Sequence, residues 1–446
     1  MGRKLIVIGL DAAPPSLVYD ELKEDLPNLS ELTEGGAKLL STNPPITIPA
    51  WAVMVTGKSP GELGFYGFRH RKKGSYNSFY IVNSRFLREP TIWDLASRKG
   101  LKNIVVGVPP SYPPRPLNGL MISCFITPSS SSQYTYPSNL KEELEKMFNK
   151  YIFDVVYRSE NRDKVKEDLW VMTKNHFRVL KHLIHKPWDF FMFVEIGVDR
   201  VQHAFWGFMD KEHHKYIPGN KYESVIKDYY KLIDELLGSL IKDVPRDAVI
   251  MAVSDHGAKR MKGAFVINQW MIDKGYLKLR KDKVPKGAEL DQADVDWSKS
   301  IAWGWGGYYA RVFLNVRGRD PKGVVDPKDY EHYRDELKEE LTKVKGPNGE
   351  KWENKVFKPE ELYPVVRGDA PDLIAYFDDL SWRSAGTLGW GTLYLKENDR
   401  GPDDAVHDWY GILSLYDPEN SFKLTRDMYK IEEVSFLMKE ILGISN

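Results

Sequence analysis

The chain has 446 residues, enough for roughly two or three domain-sized units with a substantial core. Its 64 lysines and arginines offset 63 aspartates and glutamates, so net charge gives no reason to expect a nucleic-acid polymer or an acidic partner. Cys124 is the only cysteine, which excludes an internal disulfide and a thiolate metal cage and favours a reducing compartment, the cytoplasm.

The N-terminal sequence "MGRKLIVIGLD" has a short apolar run that meets Asp11 too early for the apolar core of a signal peptide. We therefore expect it to form the first strand. No later stretch approaches the roughly 20 apolar residues that a membrane-spanning helix needs. The sequence predicts no membrane span.

Three apolar runs end abruptly in polar residues: "KLIVIGLD", "DFFMFVEIGVD" and "AVIMAVSDHG". Continuous apolar runs are typical of strands that are buried on both faces of a mainly parallel sheet, and helical patterns lie between them. The predicted class is α/β. Ligands of such sheets gather beyond the carboxyl ends of the strands, where these runs place Asp11, Asp199 and Asp255.

Two regions depart from this alternation. The stretch from Val108 to Pro137 is rich in proline and serine and predicts a long ordered loop. Apolar periodicity also weakens over 273–369, which we expect to be an inserted cap, although "DPKDYEHYRDELKEELTKV" within it predicts a charged helix. "PDLIAYF" then resumes the strand pattern, so the core is predicted to comprise 1–272 and 370–446.

Histidines accompany the strand-end aspartates. His203 follows Asp199 by four residues, so on a helix the two side chains share one face, as two ligands of one ion would. His256 directly follows Asp255 at a strand end. Each feature alone has a plain alternative, namely an ion pair, a helix cap or a surface histidine.

His407 lies far downstream in "DDAVHDWYGIL", where a lone histidine is more often structural. Taken with the other carboxylates and imidazoles, it completes an oxygen and nitrogen set without soft thiolate. Such a set favours zinc, with manganese or iron as alternatives. Two ions would use all these ligands, and a close pair of ions is able to clamp both the attacking and the leaving oxygen of a phosphoryl displacement.

Thr47 lies at the start of a predicted helix, in "NPPITIPAWAVMVTG". Pro49 suits a first helical turn, and Gly57 is a natural stop. The N-terminus of a helix favours a phosphate, and a metal would lower the pKa of the Thr47 hydroxyl. Thr47 is thus a candidate nucleophile, and without a metal it would be only a helix cap.

Five segments together resemble the type I phosphodiesterase and nucleotide pyrophosphatase family of the alkaline phosphatase superfamily. They are "VIGLDAAPP", "PPITIPAWAVMVTGKSPGELG", "EIGVDRVQHAFW", "SDHG" and "DDAVHDWYG", and they occur in the family's order over essentially the whole chain. Looser matches at "GVPPSYPPRPLNG", "LNVRGRDPKG" and "PDLIAYF" are most similar to its cytoplasmic archaeal and bacterial branch. The resemblance implies an alkaline-phosphatase-like core with a mainly parallel central sheet flanked by helices.

The resemblance also implies a site with two divalent metal ions, one held by Asp11, Thr47, Asp255 and His256 and the other by Asp199, His203 and His407. Thr47 would be the nucleophile, forming a phospho-threonine that water then hydrolyses. The implied substrates are small phosphodiesters or nucleotides.

One position departs from the family pattern. Well-studied nucleotide pyrophosphatases carry a phosphate-binding asparagine some twenty residues after the nucleophile, where this chain has Phe68. Arg69, His70 or an asparagine from elsewhere in the chain is an alternative donor, and a solvated basic loop is the other interpretation of "FRHRKKG". The departure bears on nucleotide specificity more than on the metal chemistry.

Other functions remain open at this level. A phosphomonoesterase or a phosphoglycerate-mutase-like enzyme would share the metal set, although those relatives use serine as nucleophile. A non-catalytic metal-binding protein is the alternative from another class. Aromatic residues around Trp206, Trp303 and Trp390 fit either a nucleobase pocket or core packing, and Asn315, Arg317 and Arg319 fit either anion binding or bracing of the inserted region.

Overall fold

The computed structural model describes residues 2–147, 150–281 and 283–444. The strands, in chain order, are β1 (Leu5–Leu10), β2 (Ala37–Leu40), β3 (Arg69–Arg71), β4 (Phe79–Ile81), β5 (Asn103–Val106), β6 (Gly119–Ile122), β7 (Thr135–Tyr136), β8 (Phe190–Glu195), β9 (Val249–Val253), β10 (Gly257–Arg260), β11 (Gly263–Val266), β12 (Ala302–Trp305), β13 (Ala310–Leu314), β14 (Lys355–Phe357), β15 (Leu373–Tyr376), β16 (Trp382–Ala385), β17 (Tyr394–Leu395), β18 (Ala405–Asp408), β19 (Tyr410–Tyr416) and β20 (Met428–Lys430).

The α-helices are α1 (Pro27–Leu32), α2 (Thr47–Thr56), α3 (Pro60–Leu63), α4 (Ile92–Arg98), α5 (Leu140–Glu145), α6 (Arg162–Leu183), α7 (Gly197–Met209), α8 (Val225–Ile241), α9 (Ile267–Asp273), α10 (Tyr330–Thr342), α11 (Pro359–Leu362) and α12 (Ile431–Leu442). Shorter turns of π or 3₁₀ helix cover Ser16–Glu21, Lys23–Asp25, Ser84–Phe86 and Pro327–Asp329. Within the described part of the chain, no helix combines the length and the apolar character needed to cross a bilayer.

The chain forms two compact units. The first unit comprises the N-terminal segment up to Leu63, Val82–Ala258, and the chain from His407 onward; the second comprises Gly64–Ile81 and Lys259–Val406. The functional division predicted from sequence, with a cap at 273–369, stays a prediction.

The first unit is built on a nine-stranded sheet of order β20-β2-β19-β9-β1-β8-β5-β6-β7. Its centre is parallel, because β1 pairs in parallel with both β8 and β9, and β8 with β5. The three apolar runs therefore form adjacent strands, and the predicted α/β class with a mainly parallel sheet is confirmed.

Helices cover both faces of this sheet. Leu5 and Val7 of β1 share one apolar cluster with residues of α2, α4 and α12. Ile6 and Ile8 alternate to the opposite face and are also fully buried. Phe177 of α6 makes an edge-to-face contact with Phe193 of β8, and α6 packs with α7 and α8. Burial on both faces explains why these strands read as continuous apolar runs.

The predicted loop from Val108 to Pro137 was wrong over two short stretches. Residues Gly119–Ile122 form β6, parallel to β5, and Thr135–Tyr136 form β7, antiparallel to β6. The rest of the segment is irregular, as its prolines predict. Local composition hid β6 because its place beside β5 is fixed by pairing across the sheet.

The second unit contains a four-stranded sheet of order β12-β13-β15-β14, a three-stranded sheet of order β16-β11-β17 and the β3–β4 hairpin. The charged helix predicted in this region is α10, and "PDLIAYF" contains β15, so both elements are confirmed. β15 pairs with β13 and β14, and so lies in the four-stranded sheet. This unit has its own apolar core, which includes the fully buried Trp303.

Candidate active site

Thr47 is the first residue of α2, as predicted. The helix runs without a breaker to Thr56 and ends at Gly57, whose φ of 71° is the left-handed conformation that favours glycine. The N-cap residue of α2 is Ile46, which has no side-chain oxygen to cap the helix, so Thr47 is not the cap. Its Oγ1 instead lies 3.5 Å from Asp11 Oδ1 and 3.3 Å from His256 Nε2. The hydroxyl is directed into a cluster of ionisable groups.

Asp11 follows directly after β1 and is fully buried. Trp51 Nε1 donates a 2.7 Å hydrogen bond to Asp11 Oδ2. A Cβ atom at Gly9 would lie 2.7 Å from Trp51 Cη2, so glycine at this position lets the indole approach the strand. Sequence reasoning missed Trp51, although its spacing of one helical turn from Thr47 was a usable signal.

The turn after β1 connects Asp11 to Asp255. Ala12 has a φ of 60°, a conformation that alanine rarely adopts, and such strain is typical of functional sites. This turn directs the Ala12 N–H at Asp255 Oδ1, at 3.1 Å. Asp255 follows β9, the neighbour of β1, so two adjacent strand ends present their carboxylates side by side.

Asp199 and His203 both lie in α7, as predicted from their spacing, with His203 Nε2 3.2 Å from Asp199 Oδ1. Arg200 Nη1 donates to the other carboxylate oxygen, Asp199 Oδ2, at 2.6 Å. α7 begins two residues after β8, which holds both side chains at the carboxyl edge of the sheet.

His256 and His407 stack with ring centroids 3.8 Å apart. His256 Nδ1 lies 2.9 Å from the Gly257 carbonyl, and His407 Nδ1 lies 2.7 Å from the Pro45 carbonyl. A carbonyl only accepts, so both Nδ1 atoms carry hydrogen and both Nε2 atoms present a lone pair in the neutral ring. This is the tautomer that metal-ligating histidines usually adopt.

The Nε2 atoms face the aspartates. His256 Nε2 is 3.2 Å from Asp255 Oδ2 and 3.8 Å from Asp11 Oδ1. His407 Nε2 is 3.6 Å from Asp199 Oδ1. The structure thus brings together the seven residues that the sequence analysis proposed as metal ligands: Asp11, Thr47, Asp199, His203, Asp255, His256 and His407. Their role as metal ligands stays a prediction.

Two sets of three residues present ligand atoms within 4.8 Å of one another: Asp11, Asp255 and His256; and Asp199, His256 and His407. His256 belongs to both sets, whereas the family resemblance assigns it to the ion of Asp11. His203 is in neither set but lies beside Asp199. The geometry defines candidate metal-binding clusters at the strand ends.

The site has an excess of negative charge. Burial raises the pKa of Asp11 well above its usual value, and the Asp199 carboxylate adds to the rise, while the Trp51 hydrogen bond opposes it. Burial also raises the pKa of Asp255, and Asp11 adds to that rise. Asp11 and Asp255 resist ionising together because their negative charges would repel each other. A divalent cation between them would offset this repulsion.

Asp199 behaves in the opposite way. Burial alone would raise its pKa, but His203, Arg200 and His407 hold the pKa of this carboxyl well below its usual range. Burial lowers the pKa of His256 to about 4 and that of His407 well below its ordinary value, so both rings are neutral near pH 7. Neutral imidazole is the form that binds a metal.

The donor set fits a divalent cation. Asp199 Oδ1 and Asp255 Oδ2 are buried and accept no hydrogen bond from the described residues. Buried carboxylate oxygens without donors are uncommon, since each loses its hydration on burial. Both oxygens face imidazole nitrogens, so a cation there would have oxygen and nitrogen ligands of the kind that zinc, manganese and iron accept.

The alternative phosphate donors lie in the second unit. His70 is buried, and its Nε2 accepts a 3.2 Å hydrogen bond from the Tyr66 N–H. Arg69 is exposed in β3 and stacks over Phe79, so "FRHRKKG" enters a hairpin. These contacts give His70 a packing role within its own unit.

Other residues singled out by sequence also have structural roles. Asn315 Nδ2 donates to the carbonyls of Trp297, Ser300 and Lys322, and Arg319 pairs with Asp372. These bonds favour bracing over anion binding for both residues. Trp303 packs in the core of the second unit.

Comparison with known proteins identifies the class. The family model described as type I phosphodiesterase / nucleotide pyrophosphatase matches residues 5–403. The chain therefore belongs to this family and is a hydrolase of its phosphodiesterase and nucleotide pyrophosphatase type. A search of curated proteins gave no match.

Solved structures share the fold over nearly the full length. Human ectonucleotide pyrophosphatase / phosphodiesterase 5 is 14% identical with a TM-score of 0.58, and the match covers 99% of this chain and 96% of that chain. An inactive threonine-to-alanine variant of the murine enzyme, in complex with AMP, gives the same identity and coverage with a TM-score of 0.57. Phosphonoacetate hydrolase from Sinorhizobium meliloti 1021, in complex with phosphonoformate, is 16% identical with a TM-score of 0.62 and the same coverage.

Proposed function

We propose that the chain is a two-metal hydrolase that cleaves phosphodiester or pyrophosphate bonds through a phospho-threonine at Thr47. The observation that carries the proposal is the placement of the Thr47 hydroxyl. Thr47 is the first residue of α2, and its Oγ1 lies 3.5 Å from Asp11 Oδ1 and 3.3 Å from His256 Nε2. Thr56, at the other end of the same helix, instead donates its hydroxyl to the Ala52 carbonyl at 2.7 Å.

The metal centre would have two halves. Asp11, Thr47, Asp255 and His256 would hold one ion, and Asp199, His203 and His407 the other. When bound, such ions would lower the pKa of the threonine hydroxyl and neutralise charge on the phosphoryl group. Zinc is the proposed metal, with manganese or iron as alternatives, because the set combines carboxylate and imidazole without thiolate.

The residues of the chain then have distinct tasks. The Thr47 hydroxyl loses its proton to solvent, and its oxygen forms a bond to phosphorus while the bond to the leaving oxygen breaks. Water attacks the phospho-threonine in a second step, which releases the phosphate product and restores the hydroxyl. The start of α2 favours the anionic substrate through the positive end of the helix dipole.

Trp51 and the two Nδ1–carbonyl bonds orient this machinery. The indole fixes one oxygen of Asp11 and leaves Oδ1 facing Thr47. The Gly257 and Pro45 carbonyls fix the rings of His256 and His407. Fixed partners of this kind hold reacting groups in place before the substrate arrives.

One relative supports both the threonine nucleophile and a nucleotide substrate. The murine ectonucleotide pyrophosphatase / phosphodiesterase 5 variant that binds AMP is inactive after a threonine-to-alanine substitution. We propose a small phosphodiester or nucleotide as the substrate here. We also propose that the chain belongs to the cytoplasmic archaeal and bacterial branch of the family, on the strength of its sequence motifs and its single cysteine.

The test is hydrolysis of bis-p-nitrophenyl phosphate and of p-nitrophenyl phosphate with added zinc or manganese. We expect faster cleavage of the diester, and loss of at least about 10³-fold in kcat for Thr47→Ala, because the nucleophile is removed. Thr56→Ala is the matched control, since this threonine lies at the other end of the same helix.

Equal loss in both variants would point to damage to α2 and would remove the support for a nucleophile. Faster cleavage of the monoester would replace the proposal with a phosphatase. A Thr47→Ala protein with full diester activity would exclude the phospho-threonine route.

A further inference from the structure

A buried arginine connects Asp199 to a segment outside the metal centre. Arg200 donates to both oxygens of Asp154, from Nε at 2.8 Å and from Nη2 at 2.7 Å. Its remaining nitrogen, Nη1, donates to Asp199 Oδ2 at 2.6 Å. The side chain of Arg200 is only 8% exposed, whereas that of Asp154 is 28% exposed. The guanidinium therefore bridges a partly exposed carboxylate and a buried one.

Two aromatic rings pack on this guanidinium. Its carbon Cζ lies 5.2 Å from the ring centre of Phe125 and 4.8 Å from that of Tyr157. The Tyr157 ring also packs on His203, with centroids 5.5 Å apart. One irregular segment, 154–157, thus contacts both His203 and Arg200, the residue next to Asp199.

We propose that Arg200, fixed by Asp154, is a positioning residue that orients Asp199 for its metal ion. This inference rests on the proposed function, because it takes Asp199 and His203 as ligands of one ion. Arg200 occupies Asp199 Oδ2, while Oδ1 accepts no hydrogen bond from the residues that the structure describes. This oxygen lies 3.2 Å from His203 Nε2 and 3.6 Å from His407 Nε2. The carboxylate is held with one oxygen directed at the imidazoles.

Charge balance explains why Arg200 needs Asp154 in order to position Asp199. A lone guanidinium beside a ligand carboxylate would repel a metal cation at short range. The two hydrogen bonds from Arg200 to Asp154 form a bidentate pair, which neutralises the guanidinium and fixes its plane. Asp199 then receives a directed donor with little added positive charge.

The test is zinc affinity, measured by chelator competition, in Arg200→Met and Asp154→Asn. Arg200→Met keeps the bulk of the side chain and removes its donors. We expect each variant to weaken the Asp199 ion by about 10- to 100-fold, the usual effect of removing a hydrogen-bond partner of a ligand, with little change at the Asp255 ion. Asp154→Asn acts on the partly exposed end of the bridge, so it tests the inference if Arg200→Met fails to fold.

The visible absorption spectrum of bound cobalt reports the geometry of the site, and a general loss of stability would not change it. Each variant is loaded with Co²⁺, and its spectrum is recorded. Asp199→Asn and Asp255→Asn show which absorption bands belong to which ion, because each variant loses one of the two ions. In the Arg200 and Asp154 variants, we expect the bands of the Asp199 ion to change and those of the Asp255 ion to stay the same.

Arg115→Met is the matched control, because Arg115 also bridges an aspartate and a second acceptor, Asp94 Oδ2 and the Leu87 carbonyl, both at 2.9 Å. The Arg115→Met variant should bind both ions with the affinity of the wild type. If wild type binds two ions and both bridge variants bind them equally well, the positioning role is wrong while the proposed function stands. If Asp199→Asn binds as much zinc as wild type, the proposed function fails at this site and the inference fails with it.

Discussion

Two clusters of buried charge, one in each unit, have opposite chemistry. In the second unit, Arg71 Nη1 pairs with Asp320 at 2.6 Å, and Nε and Nη2 pair with Asp369 at 2.8 Å and 3.0 Å. Arg319 makes two bonds of 2.7 Å to Asp372. We call these five residues the arginine–aspartate network. Its charged groups are satisfied by one another.

The candidate active site is not satisfied in this way. Burial raises the pKa values of Asp11 and Asp255, and Asp255 Oδ2 accepts no hydrogen bond from the described residues. Asp199 has Arg200, but Arg200 is also bound by Asp154. Buried carboxylates that are paired with arginines stabilise the fold. Buried carboxylates with too few positive partners are typical of a site that binds a cation.

The largest expected effect is on catalysis. Asp255→Asn removes a charge that the proposed ion requires, so we expect a fall of about 10³-fold in kcat/KM for the diester and the loss of one zinc per chain. Steady-state kinetics and elemental analysis measure the two results.

Asp234→Asn is the matched control, because Asp234 is an equally buried aspartate whose oxygens accept bonds from Asn28 and from the Leu29 N–H. It should keep both ions and its activity. Equal zinc content in Asp255→Asn and wild type would remove the contrast between the two clusters.

The next effect is on stability alone. Arg71→Met leaves Asp320 and Asp369 without their shared partner, so we expect a loss of about 3 kcal/mol in the free energy of unfolding. Urea denaturation measures this loss. Zinc content at saturating metal should stay at the wild-type value, and a variant that folds but loses zinc would mean that the network serves the metal site.

A smaller effect concerns pH. Burial, together with Arg311, lowers the pKa of His70 to about 3. The pKa of His70 in the folded state is below its value near 6.5 in the unfolded state. As pH falls below 6.5, the histidine is therefore protonated in the unfolded state but not in the folded state, and the folded state loses stability. Between pH 6.5 and 5 this loss is about 1.5 kcal/mol for one such histidine.

His70→Gln should remove that loss, because glutamine offers an acceptor to the Tyr66 N–H without titrating. Urea denaturation of both proteins at the two pH values gives the comparison. Parallel losses in variant and wild type would show that His70 is not kept neutral by its burial.

The smallest effect has an unusual sign. With metal removed by chelation, ionised Asp255 destabilises the folded state near pH 7, because its folded pKa is raised above the unfolded value. Asp255→Asn should therefore stabilise the metal-free protein by about 1 kcal/mol, whereas Asp234→Asn should destabilise it. Thermal unfolding in chelator measures both, and destabilisation by Asp255→Asn would mean that the carboxylate has a cationic partner within the fold.

Sequence predicted the centre of the molecule better than its edges. The runs that end in Asp11, Asp199 and Asp255 form the strands β1, β8 and β9, because strands buried on both faces need continuous apolar sequence. The short strands β6 and β7 were missed, because their position depends on pairing partners and not on local composition.

The supporting contacts of the site were also hidden from sequence. Trp51 had a signal in its helical spacing from Thr47, but the Arg200–Asp154 bridge spans 46 positions and ends in an irregular segment with no periodicity. Likewise, the carbonyl of Pro45 that orients His407 comes from the other end of the chain. Side-chain pairs of this kind are set by the tertiary fold.

The most direct test of the central claim is rapid-quench peptide mass spectrometry of the wild-type protein during turnover of a phosphodiester. The account predicts a transient phosphoryl adduct on the peptide that contains Thr47, formed and lost at rates compatible with kcat. Turnover at the normal rate with no adduct on that peptide would contradict it, and direct attack by water on the substrate would take the place of the threonine.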